Sequence, residues 1–422
     1  MLLAEAASSR VGRRWVAVCV SGLIWVLPAV ARAQAPPPPV PPAATVTSRA
    51  ELIAGQQAAK ARNLRPRRAN RAEALVRFVE EQFISGSLHW HPFFESAYLG
   101  GGFTLGAGYL KYVSAYNSLD VRGSLTLQGY KRVEAEFRAP RLLGRRAQFT
   151  AVGGWREATE VGFFGLGTAA TSPDDRSLYS FSQPYGSARL EVRPTRGALV
   201  VAGGVELSEW RQSGADGASP SVDEVYTPDD LPGLGGSPTY LHTHATVGFD
   251  RRQAGAGYAR RGGYYAVTLR DYADRGGPYS FRQVDYDVIQ HVPILRDAWV
   301  VSLRGRVETT YERAGEVVPF FMLPGIGGGS SLRGYSSWRF RDRHSLLLSA
   351  EWRVLVNSFV DTVMFYDAGK AVARRGDLDL RGLKSDFGIG LRMHGPAATP
   401  VRIELARSNE GLRLVFGASA AF

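Results

Sequence analysis

From about residue 87 the chain alternates apolar and polar positions with a period of two. In Lys131 to Ala139, Arg132, Glu134, Glu136 and Arg138 fall on one side, and Val133, Ala135 and Phe137 on the other. Ser187 to Arg193 sets Arg189, Glu191 and Arg193 against Leu190 and Val192. Val300 to Tyr311 sets Ser302, Arg304, Arg306 and Glu308 against Val301, Leu303, Val307 and Tyr311, and Pro400 to Arg407 sets Arg402 and Glu404 against Val401, Ile403 and Leu405. A period of two puts successive side chains on opposite faces of a strand. One face is apolar, and the other carries charges of both signs.

The same reading places strands near 88–97, 102–113, 118–130, 131–140, 146–158, 177–193, 198–211, 240–251, 262–274, 279–292, 298–312, 345–355, 360–370, 385–395, 400–407 and 411–422. That is about 16 strands, an even number, as an antiparallel bacterial barrel requires. The long gaps, 159–176, 212–239, 313–344 and 371–384, all follow odd-numbered strands. Joints after even-numbered strands are short, with 252–261 the exception. Long loops on one rim and short turns on the other are the outer-membrane pattern.

Alternation alone fits a soluble sandwich too, with its charges in water. What turns the reading to an all-β transmembrane antiparallel barrel is the N-terminus together with the composition. Arg10, Arg13 and Arg14 precede the apolar run Trp15 to Val30, and Ala31-Arg32-Ala33 closes it with a small-x-small site. This reads as a signal peptide over 1–33. The single cysteine, Cys19, lies inside it, so the mature chain forms no disulfide and no zinc–thiolate site. No later run of about 20 apolar residues offers a membrane helix. Glycine is abundant (48 residues) and 11% of residues are aromatic, as amphipathic strands with tight turns require. The formal charge is +12, and removing residues 1–33 takes away four arginines and Glu5, leaving +9. In an exported chain this points to outer-membrane lipid headgroups or a basic lumen rather than to nucleic acid.

Residues 34–86 read as a periplasmic linker. Pro36 to Pro42 is proline-rich, Lys60 to Arg71 carries six basic side chains, and Leu75, Val76, Val79 and Phe83 share one face of a predicted short helix over Ala72 to Phe83. The barrel domain follows at 87–422. It ends with Leu414, Phe416, Ala418, Ala420 and Phe422 on one apolar face, a closing strand with an aromatic terminus.

Candidate chemistry is sparse. His89 and His91, and likewise His242 and His244, place two imidazoles on one side of a strand, but no acid completes either set in the sequence. Gly325 to Gly329 lacks the Lys-Ser/Thr ending of a phosphate loop, and no Gly-x-Ser-x-Gly elbow occurs. We expect no metal, no cofactor and no enzyme activity.

The last hundred residues resemble the barrel domain of the BamA/TamA family, also called the bacterial surface antigen family, whose relatives include the two-partner secretion transporters. The residues that carry the resemblance are Leu332-Arg333-Gly334-Tyr335, Ser349-Ala350-Glu351-Trp352-Arg353, Phe365-Tyr366-Asp367-Ala368-Gly369, Gly388-Ile389-Gly390-Leu391-Arg392 and Phe422, with weaker likeness back through Phe163-Phe164-Gly165-Leu166-Gly167. In that family the loop after the eleventh strand folds into the lumen. The resemblance implies that Arg333, flanked by Gly334 and Tyr335, pairs there with Asp367 and Glu351. Glu351 inward brings Leu347, Ser349 and Arg353 inward, and Asp367 inward turns Met364 and Tyr366 to lipid. The resemblance also implies action on unfolded outer-membrane or secreted proteins, by insertion or translocation. One departure stands out. Family members carry periplasmic POTRA modules before the barrel, and here about 50 residues separate the signal from the first strand. We expect a short branch without them, in which a separate periplasmic partner supplies that role. The alternative is a gated pore or structural barrel passing small solutes through its charged lumen.

Overall fold

The computed structural model describes residues 49–62, 89–168, 171–194, 198–255, 258–295, 297–357, 359–394, 401–417 and 422. The signal-peptide reading and the helix expected over Ala72 to Phe83 lie outside them. Within the expected linker the structure shows a helix, α1 (Arg49–Arg62), which takes in the start of the basic stretch at Lys60 and Arg62.

Among the described residues sixteen strands follow one another. They are β1 (Trp90–Pro92), β2 (Thr104–Tyr112), β3 (Ser118–Thr126), β4 (Lys131–Leu142), β5 (Ala147–Phe163), β6 (Ser177–Val192), β7 (Leu199–Glu209, continued by Arg211–Gly214) and β8 (Thr239–Asp250, continued by Gln253–Gly255). Then come β9 (Tyr258–Asp274), β10 (Phe281–Leu295), β11 (Trp299–Glu312), β12 (His344–Asn357), β13 (Val360–Val372), β14 (Lys384–Met393), β15 (Val401–Ser408) and β16 (Gly411–Gly417). Each pairs antiparallel with the next, an up-and-down order. The expected all-β architecture is therefore present, with every strand at its anticipated place. The irregular joint at 252–261 disappears, because β8 and β9 extend to Gly255 and from Tyr258. The first strand is shorter than expected: only Trp90–Pro92 pairs with β2.

The faces divide as alternation requires. On β12, Leu347, Ser349, Glu351 and Arg353 are buried while Trp352 is exposed. On β13, Asp367 is buried, and Met364 and Tyr366 stand exposed on the apolar outer face. Inward charges form rungs along the wall. Arg304 grips Asp287 with two hydrogen bonds of 2.9 Å, and Arg306 grips Asp285 at 3.0 and 2.8 Å. These are bidentate, charge-assisted pairs between adjacent strands, which fix register as well as neutralise charge.

The inward face is not charged throughout. At the long-loop end it turns aromatic: Phe163, Tyr179, Phe181, Trp210, Tyr240 and Phe281 pack with Phe320, Phe321 and Leu323 from the loop after β11. Each fully buried aromatic or leucine contributes roughly 1.5–3 kcal/mol relative to exposure. The lumen therefore has an apolar layer above a charged one, where the strand pattern suggests a charged lumen.

Candidate functional site

The site is built on the loop 313–343 between β11 and β12. Two short segments, Gly325–Ile326 and Phe340–Arg341, pair with each other and pinch the loop at its neck. Beyond the neck, Gly327 donates to Ser331 Oγ at 2.8 Å, Gly328 donates to Leu332 O at 3.0 Å, and Tyr335 donates to Leu332 O at 3.2 Å. These bonds fold residues 327–335 into a tight turn. Leu332 packs with Ile326, Tyr335, Phe340, Leu347 and Ala371 in a small apolar cluster. That cluster seats the turn against the inner wall of β12 and β13 and aims Arg333 at it.

Gly327 is indispensable to the turn. Its φ is +121°, and a Cβ there would come within 2.3 Å of Ser336 O and 2.8 Å of Arg339 N. Both neighbours are backbone and have no rotamer to give. We expect Gly327→Ala to destabilise the folded barrel by on the order of 3 kcal/mol. Gly329→Ala meets mainly Val415 Cγ1 at 3.1 Å and has far less effect. Heat-modifiability on gels measures the difference, and equal midpoints for the two variants would count against this account.

Arg333 is 1% exposed. Its Nε donates to Asp367 Oδ2 at 2.6 Å and its Nη2 to Asp367 Oδ1 at 2.9 Å, a bidentate fork. Nη1 donates to Glu351 Oε1 at 2.7 Å and lies 3.4 Å from both carboxylate oxygens of Glu404. The guanidinium carbon sits 3.5 Å above the ring centroid of Phe365, so one face of the cation is covered by an aromatic and its edge is fully engaged. Burial opposes the charge, but Glu351 and Asp367 outweigh it and hold the pKa of Arg333 above its ordinary value.

The sequence motif omits most of the remaining cluster. Glu351 also accepts from Arg353 Nε at 2.7 Å and from Arg392 Nη1 and Nη2 at 3.0 and 2.6 Å. Arg392 reaches Glu404 Oε1 at 2.6 Å, and Arg402 Nη2 donates to Gly329 O at 2.8 Å. Asp386 lies directly across from Asp367 in the β13–β14 ladder. Arg333, Arg353, Arg392 and Arg402 thus stand with Glu351, Asp367, Asp386 and Glu404 in one buried group. Alternation on β14 and β15 marks Arg392, Arg402 and Glu404 as inward. It gives no hint that they share partners with Arg333, because those contacts cross four strands.

The neighbours of Arg333 are held as well. Gly334 leaves no room: a Cβ would lie 2.6 Å from Asp386 Cβ and 3.0 Å from Ser408 Cβ. Tyr335 is buried, and its hydroxyl donates to Asn409 Oδ1 at 2.7 Å. Phe422 lies elsewhere. Its ring is 5.3 Å from the guanidinium of Arg353 and 6.5 Å from the ring of His291, and its carbonyl accepts from Arg353 Nη2 at 3.3 Å. The terminal residue is therefore on the lumen side, not in line with the exposed Leu414 and Phe416.

The histidine pairs do not assemble a metal site. His91 Nε2 meets Asp120 Oδ1 at 2.9 Å, and His242 stacks on Tyr272 at 4.3 Å. No group of three or more potential ligands is found among the described residues. The arrangement as a whole is suited to holding a loop.

Residues 117–422 match the model of the Omp85 superfamily domain. The chain belongs to the Omp85 superfamily. Among solved structures, this Omp85 barrel is similar to BamA from Haemophilus ducreyi lacking POTRA domains 1–3, with 14% identity over 78% of this chain and 68% of that one, at a TM-score of 0.57. It is also similar to CdiB from Escherichia coli, with 12% identity over 74% of this chain and 58% of that one, at a TM-score of 0.51. At these identities the likeness is one of fold: both are barrels of the same architecture. No curated protein sequence matches the chain significantly.

Proposed function

We propose that this Omp85 barrel acts in the insertion or translocation of proteins at the outer membrane, and that loop 313–343 is its lumen obstruction, held in place by Arg333. The observation that carries this reading is the buried fork of Arg333 on Asp367, with Glu351 completing it, inside a barrel of this superfamily. The aromatic layer around Phe320 and Phe321 supports it, since a dry plug at the long-loop end opposes steady passage of hydrated solutes. The long-loop end is taken to face outward, and client chains would enter from the short-turn end, with a separate periplasmic protein presenting them.

Planar-bilayer conductance tests the reading. The wild type is expected to be mostly closed. A variant in which 313–343 is replaced by a short glycine–serine linker is expected to give large openings. A large, steady conductance already present in the wild type would instead favour a pore for small solutes, and a closed deletion variant would remove the loop as the obstruction. Capture of cross-linked neighbours from outer membranes would then identify the client class and the periplasmic partner.

A further inference from the structure

At the short-turn end of the barrel the two halves of the outer wall differ. On β2, exposed Tyr109 pairs with exposed Val121, and Lys111 follows two residues nearer the rim, opposite Leu119. Cross-strand partners share a face, so Lys111 stands on the apolar outer wall, and it is exposed there. On β8, exposed Phe249 pairs with exposed Tyr265. Arg251 follows Phe249 by two residues, and its amide donates to Gly263 O at 2.8 Å, which keeps it in the ladder and on the same face. Two residues of strand span about 7 Å, so each cation lies just rimward of an outward aromatic ring. At the same end of β10 to β14 the large exposed side chains are Ile294, Trp299, Val356, Phe359 and Met393, all apolar.

Between Lys111 and Arg251 along the rim, the β4–β5 turn adds an amphipathic tip. Leu143, Gly144 and Arg145 have φ of +48°, +67° and +70°. A left-handed backbone strains a bulky residue, yet Leu143 is held 71% exposed, with exposed Arg145 two residues on. Beside the tip, exposed Arg141 sits over the ring of Tyr116 in the β2–β3 turn, 3.8 Å from its centroid. Other cations of this rim are answered within the protein. Arg252 binds Asp250 at 3.0 and 3.1 Å, Arg193 lies 3.4 Å from Glu191, and Arg261 lies 3.2 Å from Asp297. Lys111, Arg141, Arg145 and Arg251 have no anionic partner among the described residues.

We propose that Lys111, Arg141, Arg145 and Arg251, with Leu143, form a docking surface for anionic phospholipid headgroups of the leaflet at the short-turn end, confined to the β2–β9 half of the barrel. Leucine and the outward rings enter the acyl region, and the cations take the phosphates at its edge. Position favours lipid over an acidic protein. Lys111 and Arg251 stand on the outer wall beside rings that face lipid, whereas a soluble partner would meet the turn tips first. Four cations without an internal anion leave their charge to be answered from outside, and an anionic leaflet answers it. The apolar β10–β14 side offers no such attraction, so the anionic shell is one-sided. The surface needs only a barrel that lies in a membrane, and it is independent of loop 313–343 and of what the barrel transports.

Electron spin resonance of the full chain in phosphatidylcholine vesicles, doped with spin-labelled phosphatidylglycerol or spin-labelled phosphatidylcholine, tests it. The lipid immobilised against the barrel is expected to favour phosphatidylglycerol on the order of threefold. The preference should shrink in salt of about 1 M, where charges are screened within about 3 Å. A Lys111→Gln, Arg141→Gln, Arg251→Gln variant is expected to lose most of it. Arg374→Gln, Arg375→Gln, Arg381→Gln, which removes as many exposed charges from the loop after β13, should keep it. Should the first variant fail to insert, Arg251→Gln alone is expected to lower the preference measurably, and an unchanged preference would overturn the proposal. A wild type without preference would overturn it as well, and would leave an acidic protein as the partner of these cations. Equal losses in the two triple variants would show a general effect of net charge and no docking surface. Conductance of the wild type and of the loop replacement bears on the obstruction alone, so the two readings fail separately.

Discussion

Arg333→Ala is expected to leave the barrel assembled but weakened by about 3–5 kcal/mol, with larger and more frequent conductance openings than the wild type. The side chain is 1% exposed, so its partners have little water to turn to when it is removed. Asp367 would lose both arms of a fork at 2.6 and 2.9 Å, and Glu351 one of its donors. The cluster would go from four guanidiniums facing four carboxyls to three facing four. Removing one partner of a buried charge pair is costly chiefly because the other partner stays buried. The Phe365 ring would also lose the cation that caps it at 3.5 Å. Arg333→Lys should recover only part of the loss. A single ammonium lacks the planar fork that reaches Asp367 and Glu351 together. The measurements are the heat-modifiability midpoint on gels and single-channel recording, and an alanine variant indistinguishable from the wild type in both would remove the holding role.

Glu351→Gln is expected to be the more damaging change. Glu351 accepts from Arg333, from Arg353 and twice from Arg392, at 2.6–3.0 Å. An amide in its place is neutral and presents an NH₂ group to at least one of those guanidiniums, donor against donor. Three buried cations would then share one fewer anion, and hydrogen bonds to charged groups are worth roughly 1.5–3 kcal/mol each. Asp367→Asn disturbs one arginine, Glu351→Gln three. The folded fraction should therefore fall in the order wild type, Asp367→Asn, Glu351→Gln. Refolding yield into detergent or lipid, followed by the gel shift of the folded form, reads that order. An Asp367→Asn variant worse than Glu351→Gln would show that the loop contact matters more than the wall network.

Much of the wall was legible in the sequence because strand geometry is local. A period of two needs only neighbouring residues to declare itself, so the charged face that carries Arg402 and Glu404 was readable from alternation, and about sixteen strands from their spacing, while the inward Glu351 and Asp367 came from the family resemblance. The lumen aromatic layer was not. Tyr179, Phe181 and Trp210 sit in strands whose alternation is equally compatible with an apolar face turned to lipid or to a packed interior. Nothing local distinguishes lipid from a loop that returns from more than a hundred residues downstream. The inward position of Phe422 was missed for a related reason: alternation assigns a residue to a face only while the chain stays in the ladder, and the described ladder of β16 ends at Gly417.

The sequence by itself determined the order, number and facing of the strands and the asymmetry of their loops. Through the resemblance of Arg333, Glu351 and Asp367 to a known pattern, it also pointed to the pair that the loop would seek. Tertiary structure alone decided which charges share a partner. It placed Arg392 and Glu404 in the Arg333 cluster and made the upper lumen apolar. The physical reason is range. Backbone pleating is fixed by each residue and its neighbours, whereas a buried ion cluster or a loop contact is chosen by whichever groups the folded sheet brings within about 3 Å of one another, however far apart they lie in the chain.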